Sequence, residues 1–148
     1  MKKLTHLPAA IATCLCLTPF GATAETTSIS LRAIVDNGAA ISTVALHCAG
    51  LFYSVWDFGS EVRLDAENIE HAKTNTARFL DAAITLRSNE TGAAEETLKD
   101  AAVAEAFAVS SAYYKHYQAN VEAGREPYAT DRTWNDDLDV CRNLEAQL

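Results

Sequence analysis

Two cysteines carry the clearest chemistry in this chain. Cys48 and Cys141 stand 93 positions apart, each on a stretch whose apolar residues recur at steps of three and four. Such a pair can bridge in an oxidising compartment or remain as two buried thiols. No Cys-x-x-Cys occurs after residue 24, so the motif of a redox-active pair is missing. His47, His71 and His116 are the next candidates. Inward-facing metal sites in helical bundles use Glu-x-x-His pairs, and this chain has none. Each histidine sits one position before a residue of its helix's apolar stripe (Cys48, Ala72, Tyr117), which points all three to the flank or to water. Glu67 and His71 read as an i,i+4 surface pair.

The remaining groups are weaker. Covalent haem needs Cys-x-x-Cys-His, which is absent, and the only methionine is Met1. Asp131, Asp136, Asp137 and Asp139 lack the spacing and glycine of a calcium loop, and read as charges complementing a helix start. Ser110 reads as a small core spacer, since no histidine shares its face. Tyr114 and Tyr117 belong to a core stripe, whereas Tyr113 is expected at the surface. Trp56 and Phe58 are expected to pack under Pro127-Tyr128 as a lid. The sequence therefore assigns no catalytic residue, metal or cofactor.

What must position these residues is a set of helices. The first 24 residues read as a cleaved signal peptide: Lys2-Lys3, an apolar stretch from Leu7 to Phe20, then Ala22-Thr23-Ala24. That stretch is interrupted by Pro8, Thr13 and Pro19, and is too short to span a bilayer. Residues 25–148 then form one domain, and losing Lys2 and Lys3 takes the net charge from −8 to −10. That charge argues against nucleic acid and anionic lipid as partners.

Breaks at Asp57-Phe58-Gly59-Ser60, Ser88 to Gly92 and Gly124 to Pro127 divide the domain into helices at about 28–57, 60–88, 92–123 and 131–147. A heptad stripe through Leu31, Ile34, Gly38, Ile41, Ala45, Cys48, Phe52 and Val55 favours one long first helix over a hairpin at Asn37-Gly38. A kink there stays open. The second stripe is Val62, Ile69, Ala72, Thr76, Phe79, Ala83 and Leu86. The third is Val103, Phe107, Ser110, Tyr114, Tyr117 and Val121, and the fourth is Trp134, Leu138, Cys141, Leu144 and Leu148.

The expected fold is all-α: an antiparallel up-down-up-down four-helix bundle with a short fourth helix and one disulfide linking helices 1 and 4. Cys48 and Cys141 then lie roughly 13 and 15 Å below the same end of neighbouring helices. The short fourth helix leaves part of the bundle three-sided, exposing Leu31, Ile34, Val35, Leu98 and Val103 as one apolar strip. The rival is a bend at Asn37-Gly38 that folds residues 28–36 over the strip.

The functional expectation is a small exported, periplasmic bacterial accessory protein acting by protein binding. Its partner would be another envelope protein or a second copy in a homodimer. Toxin-neutralising immunity proteins of the periplasm share this size, helicity and disulfide habit, a likeness of class with no motif behind it. The secreted chorismate mutases are also of this size, but their spaced Arg and Lys find no counterpart between Arg32 and Asp57. The alternative is a small-ligand carrier or enzyme using a cavity between helices, favoured if polar groups converge there. The export reading predicts that intact-mass measurement of the periplasmic protein finds a chain beginning at Glu25; an uncleaved chain would contradict it.

Overall fold

A computed structural model describes residues 30–148. The signal peptide expected over residues 1–24, with Cys14 and Cys16, lies outside the described residues. The described chain is all-helical: α1 Leu31–Asp36, α2 Ile41–Glu61, α3 Ala66–Thr91, α4 Glu95–Glu122 and α5 Arg132–Glu145.

The expected first helix is two helices. Asn37 caps α1, and Gly38 adopts φ +75°, a left-handed conformation that an α-helix cannot continue. Its N–H donates to the Val35 carbonyl and that of Ala39 to Ile34, closing the last turn of α1. The chain then extends through Ala39 and Ala40 before α2 begins. The short α1 packs back against α2 and α5. The Asn-Gly signal thus outweighed the heptad stripe.

Gly59 does not end α2. It lies inside the helix against Leu64 and close to Tyr128, and the stop comes at Val62, with Arg63 left-handed at φ 59°. Accordingly Asp65, rather than Ser60, caps α3, accepting from the Asn68 N–H at 2.9 Å. Gly92 closes α3 in the left-handed region, and Asp131 caps α5.

The helix α2 is apolar on nearly all sides, so it is the centre of the fold. The α3 and α4 helices pack on it and on each other, and α5 packs on a further side. Close approach of α2 and α4 turns on Gly50, where a Cβ would stand 2.7 Å from the Ala106 carbonyl oxygen and from Val109. Facing it, α4 presents Ala102, Ala106 and Ser110, all buried. This rotates α4 away from the predicted stripe. Ser110 and Tyr117 are buried as expected, but Val103 (51 % exposed) and Phe107 (58 %) face outward, and Tyr113 is fully buried.

Cys48 and Cys141 are bonded, their Cα atoms 5.6 Å apart, joining α2 to α5. Both residues are completely buried. Replacing both by Ser is expected to lower the unfolding free energy by about 4 kcal/mol through the freed chain entropy, while the core still folds. Urea unfolding of the double variant checks this; an unchanged midpoint would show that the bridge constrains nothing.

Candidate functional site

Both α3 and α5 pack on α2, and they stand apart over it with no close backbone approach between them. The gap is a cleft of about 590 Å³, within the range of small-molecule sites. Leu64, Asn68, Tyr128 and Trp134 line its upper end. His71, Ala72 and Leu138 line it further down, with His71 edge-on to the Phe52 ring. Asn75 and Arg142, each three residues before the Arg78–Glu145 pair on its own helix, line the lower end. A salt bridge from Arg78 to Glu145 crosses the gap beneath and closes it.

The α3 wall is polar because positions 68, 71 and 75 share one helix face. The Asn75 amide donates to His71 Nε2 at 3.0 Å, leaving the ring's Nδ1 as its donor side. The His71 ring stands edge-on to Phe52, which stacks on Phe79. Asn75 is only 3 % exposed, so this polar group is built into the wall.

A ceiling over the upper end is formed by residues 124–131. Tyr128 packs on Tyr117 and Trp134, with ring centroids 4.9 and 5.4 Å away, and its enclosed hydroxyl has no hydrogen-bond partner. Burial pushes that hydroxyl's pKa well up. Asp131 pins the segment to α4. Its carboxylate accepts from His116 Nε2 and Asn120 Nδ2, each at 2.8 Å, and from the Trp134 N–H at 2.7 Å. Partial burial alone would raise its pKa, but these hydrogen bonds outweigh it and the pKa is lowered.

A second carboxylate, this one fully buried, organises the opposite side of α5. Asp137, fully buried, accepts from the Tyr113 hydroxyl at 2.7 Å and from the Arg32 N–H at 3.1 Å. It therefore ties α1 and α4 to α5, a role beyond the helix-start charge expected of it. Desolvation raises its pKa, against hydrogen bonds that favour the carboxylate. Burial, then Asp137, pushes the Tyr113 phenol well above its usual range.

The expected strip does not assemble, because the chain reverses at Asn37-Gly38. Leu31 is fully buried, Ile34 and Leu98 pack partly on the core, and Val35 and Val103 are exposed. The histidines do not share a role. His47 is half-buried, its Nδ1 enclosed without a partner, and burial lowers its pKa. His71 lines the cleft and His116 holds Asp131. Phe58 packs on Tyr114 and Tyr117 beneath Tyr128, whereas Trp56 packs on Tyr53, which also meets Phe107.

Sequence reading missed the cleft. The signal available to it was the run Asn68, His71, Asn75 at helical spacing beside Ala72, a polar edge next to a core stripe. Among the described residues, no three His, Cys, Asp or Glu side chains gather as metal ligands, and no helix is long and apolar enough to cross a membrane. No family model, curated protein or solved structure matches the chain.

The Asp137 geometry has a pH signature. Its folded pKa lies above the ordinary carboxylate value, so the fold favours the protonated acid. That contribution is complete below about pH 4 and is lost as pH rises through the folded pKa. Asn keeps an acceptor for Arg32 without the charge. Urea unfolding from pH 4 to 7 is therefore expected to show Asp137→Asn gaining on the wild type as pH rises. A pH-independent difference would mean that burial does not disfavour the charge.

Proposed function

We propose that this protein is an exported periplasmic binding protein that holds a small, largely apolar ligand in the cleft between α3 and α5. The observation that carries this reading is polar convergence on an apolar cavity. Asn68, His71 and Asn75 on one wall and Arg142 on the other surround a floor of Phe52, Val55 and Leu138. A gap left only by imperfect packing would be lined by apolar side chains. The cleft presents no nucleophile paired with a base, so the reading is a carrier rather than an enzyme. The architecture it assumes is an up-down-up-down set of α2, α3, α4 and α5, opened between α3 and α5.

A second reading, binding of another envelope protein, is favoured by a separate feature. Tyr53, Trp56 and Phe107 make ring contacts at 5.3 and 6.0 Å on the outer α2/α4 face, beside exposed Val103. Exposed aromatic clusters are common anchors of protein interfaces.

Two substitutions separate these readings. Leu138→Trp fills the cleft, and Phe107→Asp spoils the outer face. Under the ligand reading, the neutral bicyclic probe 1-naphthaleneacetamide binds at one equivalent by calorimetry. Leu138→Trp weakens it at least tenfold, about 1.4 kcal/mol, and Phe107→Asp leaves it unchanged. No binding of the probe, or binding indifferent to Leu138→Trp, would overturn the ligand reading. A periplasmic partner retained by the wild type and lost by Phe107→Asp alone would establish the second.

A further inference from the structure

The cleft is chemically graded along its length, and the grading selects a ligand. Its upper end is aromatic: Trp134 and Tyr128 both line it and meet at 5.4 Å with their rings tilted. Its lower end is polar, lined by Asn75 and Arg142, each three residues before the Arg78–Glu145 pair. From Asn68 to Asn75 the wall runs roughly 10 Å, the length of a two-ring molecule with a short side arm.

The charges at the lower end are unequally engaged. Glu145 is held by Arg78, which bridges the two helices. The pair from Arg142 to Asp139 is long, 3.6 Å, and both side chains are mostly exposed, so it holds the guanidinium only weakly. Arg142 thus has its planar donor fork to offer at the lower end, and a carboxylate is the group that fork fits best. Beside it stand the buried Asn75 amide and, at the exposed edge, the His71 ring that Asn75 bonds. Glu126 lines the opposite, ceiling end, where its charge repels an acid and orients the guest with its head down.

We propose that the cleft takes an aromatic monocarboxylate, its ring system against Trp134 and Tyr128 and its carboxylate at Arg142 beside Asn75. This rests on the ligand reading above and adds the charge and polarity of the guest.

The matched pair 1-naphthaleneacetate and 1-naphthaleneacetamide tests it. Calorimetry on the full exported protein at pH 7 measures both, and tryptophan fluorescence in a Trp56→Phe variant reports on Trp134 alone. The acid is expected to bind about tenfold or more tightly than the amide, the range of one charge-assisted hydrogen bond. In Arg142→Gln, an exposed change, the acid should fall to the level of the amide while the amide itself is unaffected. Equal affinity for the two probes in the wild type overturns the proposal but leaves the cleft reading standing, provided Leu138→Trp still expels the amide. An acid preference that survives in Arg142→Gln also overturns it, by assigning the head group elsewhere. Failure of both probes to bind removes the proposal and the cleft reading together.

Discussion

Everything in this fold is arranged around a central helix that buries side chains on nearly every face. The α2 segment runs from Ile41 to Glu61 with few polar interruptions, and its buried polar side chains, Ser42 and Ser54, are satisfied locally or by one neighbour. A helix of that kind has to be covered from all directions. The α3 and α4 helices cover two of them, α4 at a distance set by Gly50. The α5 helix covers a third and is locked there by the disulfide. Because α5 is short and is placed by that bond, the remaining sector over Phe52 and Val55 is bordered but not filled. The cleft is the geometric remainder of covering α2 with three unequal helices.

The remainder is held open from both ends. Below, Arg78 and Glu145 fix the spacing of α3 and α5. Above, the Asp131 cap accepts from His116 and Asn120 of α4, so the start of α5 is anchored to α4 rather than falling toward α3. The rings of Tyr117, Tyr128 and Trp134, packed edge-to-face and tilted, add a wedge that resists collapse of the gap. Asp137 does similar work on the far side, where the backbone of α1 closes over α5. Two carboxylates, the partly buried cap Asp131 and the fully buried Asp137, thus set the orientation of this short helix. Their environments differ: hydrogen bonds dominate at Asp131 and desolvation at Asp137.

How much of this was readable from sequence follows from which signals are local. Three-four spacing and the breaks near Gly92 and Gly124 located most of α3, α4 and α5, whereas Gly59 proved interior to α2 and Ser60 no cap. The depths of Cys48 and Cys141 located the bridge. Gly38 was visible as a break, but whether a heptad stripe or an Asn-Gly reversal prevails depends on what receives the folded-back segment, and that receiver is Asp137, about a hundred residues away. The face of α4 was misjudged because hydrophobicity was weighed without size. Small residues can bring helices close enough that Ala102, Ala106 and Ser110 become the core, while Phe107 stays outside. Tyr113 was placed at the surface because its partner is a carboxylate, and a buried acid leaves no periodic trace. The same holds for the cleft, whose walls come from helices that never pack together.

The choice of residues at the cleft is the strongest sign that it is more than a packing accident. A helix face that only had to cover α2 would carry an apolar side chain at position 75, closing the gap with ordinary apolar contact. The chain instead places Asn75 there, its amide almost completely buried and bonded to His71 at the exposed edge. Burying an amide costs free energy that an apolar side chain would not. Sequences are generally consistent across local and global levels, and departures concentrate where something other than stability is being served. The far half of α3 shows the contrast, because there Phe79, Ala83 and Ile84 bury as a plain core stripe. One helix thus buries a plain apolar stripe along half its length and an amide at the cleft, which ties that amide to the cavity rather than to α3 itself.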